Sequence, residues 1–277
     1  MAEQVLKAGK ALDLKYQPGF NIVTFACLVM LYAPIAVLVF FSFNANRSVT
    51  LWTEFSLDWY ASALANENIR GAAWVSLEVA LFATVCSTMI ATAAALATTR
   101  TRPFSGITAA YMTINLPLMV PEIVTGIATL AFFALMGNVL GFTFGEANLM
   151  IAHTVFCIPF AYLPIRARLE NMDLTLEQAA ADLYATPWRI FRRVTLPLLM
   201  PGIIAGAMLA FIVSLDDLII TILVARPGQT TLPIFILGQI RRGVTPEVNA
   251  VSTILLGVSV LFVTLFFLIR RHDKGRG

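Results

Sequence analysis

Along this chain apolar residues gather in long blocks, not in the short alternation of surface strands. Six blocks run Phe20–Phe43, Ala72–Thr99, Ile107–Leu135, Leu149–Leu169, Leu196–Ala225 and Val248–Arg270. A hydrocarbon core about 30 Å thick needs about 20 apolar residues per helix, and every block is that long. Only helices and closed barrels satisfy their backbone in lipid, and these blocks are too long for barrel strands. The pattern predicts an all-α membrane protein with six transmembrane helices, the longer of them tilted or extending beyond the lipid. Residues 1–19 form an N-terminal tail, 20–270 the six-span domain and 271–277 a C-terminal tail. Pro34, Pro117, Pro121, Pro159 and Pro164 fall within or near the spans, where neighbouring helices satisfy the carbonyls a kink frees.

One polar interruption stands out, within residues 170–197 between the fourth and fifth blocks. Thr175-Leu176-Glu177-Gln178 has the spacing of a capping box, with the Thr175 hydroxyl taking the Gln178 amide. Ala179, Ala180 and Ala181 propagate a helix. Thr186-Pro187 is a second start, a capping residue followed by proline at the first helical position. Two short helices are expected, broken near Tyr184–Thr186. Leu176, Ala180, Leu183, Tyr184, Trp188, Phe191 and Val194 approximate one apolar stripe, with Arg189, Arg192 and Arg193 pointing elsewhere. Such an element either lies on the lipid surface, anchored by its arginines, or docks in a groove of a soluble partner.

Composition agrees with lipid as solvent. The 277 residues are 58% hydrophobic and 13% charged, against about 25% charged in soluble domains, and mean hydropathy is +0.81. Basic residues near span ends set orientation. With both termini in the cytoplasm, the inside holds Lys7, Lys10, Lys15, Arg100, Arg102, Arg166, Arg168, Arg189, Arg192, Arg193, Arg270, Arg271, Lys274 and Arg276, which is 14 of the 19 Lys and Arg. Outside remain Arg47, Arg70, Arg226, Arg241 and Arg242. The interruption then faces the cytoplasm. The first block exceeds a signal-peptide core and reads as a retained span. Outside, Asn44–Gly71 carries Trp52, Phe55, Trp59 and Tyr60 and suits an interfacial belt. The mildly apolar Thr231–Ile240 is too short to span, and reads as re-entrant, as a cap on a pore mouth or as a surface loop.

Cys27, Cys86 and Cys157 lie in apolar runs and make neither a disulfide framework nor a metal spacing. His153 reads as a hydrogen-bonded packing residue. No G-x-x-x-x-G-K-[ST] phosphate loop occurs, so no cofactor is expected on this chain, and any ATP with its Mg ion belongs to a partner. Acids inside the blocks are the candidates for chemistry, because each ionised one at mid-membrane costs roughly 2.5–3.5 kcal/mol. They are Asp216, Asp217, Glu122 and Glu78. Read as adjacent residues of a helix, Asp216 and Asp217 are about 100° apart, so one lines a path while the other pairs with a neighbour, or both fix helix packing. Glu122 follows Pro121 and reads as the cap of a broken helix. Glu78 lies close to a span end and reaches the interface. Gly202 and Gly206, four apart, allow close helix approach within the chain or at a seam with another.

Gln178-Ala179-Ala180, followed at the right spacing by Val194-Thr195-Leu196-Pro197, resembles the Glu-Ala-Ala loop of binding-protein-dependent ABC importer permeases. The six spans and the place of the loop also agree with that family. Two departures are Gln178 for the family's glutamate and Tyr184 for its glycine. Tyrosine is costly in a left-handed turn, so the break is expected to slide towards Thr186-Pro187. Ser214-Leu215-Asp216-Asp217, Thr230–Pro233, Arg241–Ala250, Phe55–Tyr60 and Pro121–Gly126 are similar to the spermidine/putrescine branch, specifically its second permease subunit.

The resemblance implies a type I importer bundle in a bacterial inner membrane. It implies a sister permease, two ATPase subunits and an extracytoplasmic solute-binding protein as partners, and no nucleic acid. Gln178, Ala179, Ala180, Leu183, Tyr184, Thr186, Pro187, Leu196 and Pro197 would couple to the ATPase. Asp216, Asp217 and Glu122 would line the path of a polyamine, a flexible polycation. The alternatives are an ABC permease for another small solute and an ion-coupled secondary transporter using the same acids as a relay.

Overall fold

A computed structural model describes residues 20–48, 51–101, 104–141, 144–145, 147–243 and 245–273. Twelve helices are named here in chain order. They are α1 (Phe20–Phe41), α2 (Asp58–Ala65), α3 (Glu67–Thr99), α4 (Ile107–Met119), α5 (Glu122–Leu140) and α6 (Ala147–Glu170). Then follow α7 (Thr175–Asp182), α8 (Pro187–Ile190), α9 (Leu196–Asp216), α10 (Ile219–Val224), α11 (Leu232–Arg242) and α12 (Pro246–Asp273). Among the described residues, six stretches are long and apolar enough to cross a bilayer: Asn21–Phe41, Glu67–Thr99, Glu122–Val139, Ala147–Glu170, Pro187–Asp216 and Pro246–Thr264. The tail 1–19 lies outside the described residues, as do 274–277.

Two predicted blocks are each broken. Ile107–Leu135 is α4 and α5, parted at Val120 (φ −94°, ψ 141°) and Pro121. Proline disfavours a helical residue before it, and Val120 is extended accordingly. The 13-residue α4 is about 20 Å long, too short to span, so the third span is α5. Likewise Leu196–Ala225 is not one helix. Its first part extends back as a 30-residue rod, Pro187–Asp216, with a π-helical turn at Phe191–Thr195. It ends at Asp217, which is extended (φ −64°, ψ 130°), and α10 follows.

The core is α3, α6 and α9. Lipid offers helices no hydrophobic drive to associate, so close packing of small residues takes its place. Ala80, Ala83, Ala91 and Ala95 of α3 are fully buried, as are Cys157 and Ala161 of α6 and Ala210 of α9. Gly202 and Gly206 serve this packing inside the chain: a Cβ at Gly206 would lie 2.6 Å from the Ala161 carbonyl oxygen, and one at Gly202 2.6 Å from Arg168 Cβ. Polar contacts lock the end rich in arginine. Tyr162 and Thr98 hydroxyls lie 2.9 Å apart, Tyr111 donates to the Thr98 carbonyl at 3.1 Å, and Arg168 Nε donates to the Leu198 carbonyl at 2.9 Å. The Arg166 guanidinium sits 4.2 Å above the Tyr111 ring.

At the opposite end aromatic side chains of the loop pack together. Trp52 stacks on Phe40, Phe55 stacks on Phe43, and Trp59 Nε1 donates to the Asn44 carbonyl at 2.8 Å. The segment predicted as re-entrant, cap or surface loop is α11. Its Leu232 amide donates to Ser76 Oγ at 2.8 Å, and Leu232 packs with Ile69, Ala72 and Val251. It caps the ends of α3 and α12. Standing apart is α1, whose residues 21–37 are all exposed and which packs mainly beside α12.

Candidate functional site

The two helix breaks bring the three predicted path acids together. Glu122 opens α5 and Asp216 closes α9, with Asp217 at the break itself. All three line one cleft of about 500 Å³, walled also by Phe156, Phe160, Ile212, Val213, Leu218 and Ile219. No lysine or arginine is among those residues. Glu122 and Asp217 face the same cleft. Ionised carboxyls sharing one cleft repel each other, so a cation entering it is favoured. The Phe156 and Phe160 rings, 5.3 Å apart, add faces that attract a cation further.

Asp217 and Asp216 have unlike surroundings, though not because they sit 100° apart on a helix. Asp217 is 6% exposed. Its carboxylate accepts the Ile220 amide at 3.3 Å, the Thr221 amide at 2.9 Å and the Thr221 hydroxyl at 2.8 Å. It thus satisfies the free amides at the start of α10 and meets the positive end of that helix. Asp216 is exposed. His153, buried in α6, fixes Asp217 from behind. Its Nδ1 lies 2.8 Å from Ser214 Oγ, and its Nε2 lies 2.9 Å from Thr221 Oγ1 and 3.4 Å from Asp217 Oδ2. One order of donors satisfies the set. Ser214 donates to Nδ1, Nε2–H donates to Thr221, and Thr221 donates to Asp217.

The polar interruption makes a second site at the arginine-rich end. Of the two short helices expected, only α7 stands by itself; α8 is the first turn of the Pro187–Asp216 rod, and the turn between them is centred on Tyr184 rather than on Thr186-Pro187. Tyr184 has φ +58°, and among the described residues no other non-glycine has a positive φ. The Tyr184 amide donates to the Ala181 carbonyl at 2.9 Å and the Ala185 amide to the Ala180 carbonyl at 3.1 Å. This is the helix-ending pair of bonds that usually employs glycine. The break therefore stays where the family pattern has glycine, and tyrosine takes the left-handed turn. The predicted capping box is also replaced. Asp173, not Thr175, caps α7, accepting the Thr175 amide at 2.9 Å. That bond holds the Asp173 carboxyl below its usual range. Thr186 and Pro187 do occupy the cap and first-turn positions of α8, without a bond from the Thr186 side chain.

Of the predicted coupling residues, Gln178, Ala179, Leu183, Tyr184, Thr186, Pro187 and Pro197 are exposed, and Ala180 and Leu196 half-buried. Leu183 is 82% exposed, Tyr184 95% and Trp188 68%. An uncovered apolar corner suits docking to a partner or burial at the lipid surface.

Over residues 87–276 the chain matches the family described as "Binding-protein-dependent transport system inner membrane component". The chain belongs to this family. The permease is 37% identical over 249 residues, 89% of each chain, to the "Putrescine transport system permease protein PotI" of Escherichia coli K12. It is 37% identical over 252 residues to the "Spermidine/putrescine transport system permease protein PotC" of the same strain, covering 91% of this chain and 93% of that one. Its fold is similar to that of a chain from a bacterial ABC transporter for the import of alginate, with a TM-score of 0.70 over 99% of both chains at 14% identity. The permease is thus a multi-pass inner membrane protein with the type I importer bundle, a transport subunit and not an enzyme. Family membership favours an importer served by a binding protein over an ion-coupled secondary transporter.

Several residues of these sites were not legible in sequence. His153 reads there only as a packing residue, and its partners lie 61 and 68 residues away. Phe156 and Phe160 look like any apolar residues of a span. Glu78 is exposed on α3 and does not join the acid cleft.

Proposed function

We propose that this permease forms, with a sister permease, the membrane path of an ATP-driven importer for a polyamine of the putrescine or spermidine class. The observation that carries the reading is the convergence of Glu122, Asp216 and Asp217 on one cleft with two phenylalanine rings and no basic side chain. A diamine carries an ammonium at each end of an apolar chain, and a cleft of carboxyls and rings matches one such end. The kinship to PotI and PotC supports the same solute class. In this reading Asp216 is the carboxylate that meets the solute, while Asp217 and Glu122 set the negative field around it.

Both termini and the α7–α8 corner lie in the cytoplasm. Two ATPase subunits bind the complex, one of them at this corner through Leu183, Tyr184 and the residues around Ala180. An extracytoplasmic binding protein delivers solute at the opposite face. Closure of the ATPases pushes α7 and α8, and the push reaches the core because α8 continues without a break into α9. ATP and Mg bind to the ATPase subunits and not to this chain.

Uptake into proteoliposomes holding the whole transporter tests the reading. Asp216→Asn is expected to lower putrescine or spermidine uptake about ten-fold or more, the effect of losing one charge-assisted contact, with assembly unchanged. Unchanged uptake kinetics, or no competition between labelled solute and either polyamine, would remove the cleft from the path.

A further inference from the structure

Beneath the exposed corner, one carboxylate ties the interruption to the core. Glu177, next to Gln178, turns inward. Its Oε1 accepts the Thr195 hydroxyl at 3.0 Å and lies 3.5 Å from Arg100 Nε. Arg100 directly follows α3, and its backbone amide closes that helix on the Leu96 carbonyl. Thr195, buried, ends the π-helical turn that leads into α9. Three elements thus meet at Glu177: α7, the foot of α3 and the foot of α9. The side chains of Arg100 and Glu177 are 18% and 20% exposed, so the pair is screened far less than a surface ion pair. Arg100 Nε and Nη2 are both buried without a hydrogen-bond partner, so Glu177 compensates the guanidinium by charge across 3.5 Å and not by a hydrogen bond.

From these contacts we propose that Glu177 is a positioning residue that transmits the motion of α7 to α3 and α9. The proposal rests on the reading that an ATPase subunit docks at the α7–α8 corner. Leu183, Tyr184 and Trp188 point away from the bundle, and a push on them without the tie would pivot α7 about the Tyr184 turn and leave α3 in place. With the tie, α7 cannot move without dragging the Arg100 end of α3, one of the three core helices. The charge sits at Glu177 instead of at Gln178, where the family pattern has its glutamate.

The test uses the intact transporter. Glu177→Gln keeps the shape and an acceptor for Thr195 but removes the charge facing Arg100. The ATPase subunits are expected to remain bound while solute moved per ATP hydrolysed falls about five-fold or more, the lower end of usual coupling between sites. Spin labels on Thr101→Cys and Asp182→Cys, in a chain without its three native cysteines, should give a narrow distance distribution that broadens in Glu177→Gln. The swap Glu177→Arg with Arg100→Glu should narrow it again and restore part of the transport ratio. An intact Glu177→Gln complex with an unchanged ratio and an unchanged distribution overturns the proposal. Loss of the ATPase subunits with an unchanged distribution overturns it as well, since Glu177 would then be a docking contact. Docking fails separately, if Ala180→Glu leaves the complex assembled and active. The spin-label distances report the tie whether or not anything docks.

Discussion

Asp217 performs two tasks that substitution can separate. It caps α10 through two amides and adds negative charge to the cleft. Asparagine caps a helix about as well as aspartate, whereas alanine costs about 1 kcal/mol. At this site, however, asparagine keeps one acceptor oxygen and turns its NH2 towards the other donors, so Asp217→Asn is expected to lower the melting temperature less than Asp217→Ala, while both lower cation uptake. Thermal unfolding and uptake on the same preparations check this, and equal uptake in Asp217→Asn and the parent would assign Asp217 to structure alone. The acids themselves were readable in sequence, because any carboxylate inside an apolar block is costly. Their unlike roles were not. No proline or glycine marks the end of α9, and the helix stops between Asp216 and Asp217, where the second carboxylate finds the α10 amides and the Thr221 hydroxyl, itself bonded to the distant His153.

Among the elements, the interruption was legible in outline and the apolar blocks only as runs. Pro121 announces the gap between α4 and α5 through its effect on Val120, yet the unbroken apolarity on both sides masks it. The Tyr184 turn shows local preference overruled. A left-handed residue other than glycine costs roughly 1–2 kcal/mol, and the two helix-ending bonds hold tyrosine there nonetheless. Tyr184→Gly is expected to raise the melting temperature slightly while weakening ATPase binding, because it relieves the turn and removes an exposed ring. A pull-down at graded ATPase concentration measures the second effect. Between α6 and α9, Gly206→Ala pushes a methyl against the Ala161 carbonyl. It should destabilise the bundle by about 1–3 kcal/mol, seen as a lower melting temperature in detergent.

For the molecule as a whole, the count and order of spans followed from hydropathy because lipid leaves the backbone so few solutions. Arg100, Arg166 and Arg168 stand near one end of the core with the α7–α8 corner beside them, while the aromatic loop and α11 stand at the other. The proposed orientation rests on the excess of basic residues at the arginine-rich end. A phosphatase fused after Gly277 should be inactive in cells and one inserted in the loop before α2 active. The reverse result would invert the proposed topology and put the docking corner outside.

One consequence concerns α1. Residues 21–37 stay exposed and touch their own chain mainly at α12. Cutting this rod away removes little of what makes the remaining five spans cohere, so an N-terminally shortened protein should melt near the parent's temperature. What the rod confers must then come from the surrounding bilayer or from a neighbour, as a mooring line holds a hull without being one of its planks.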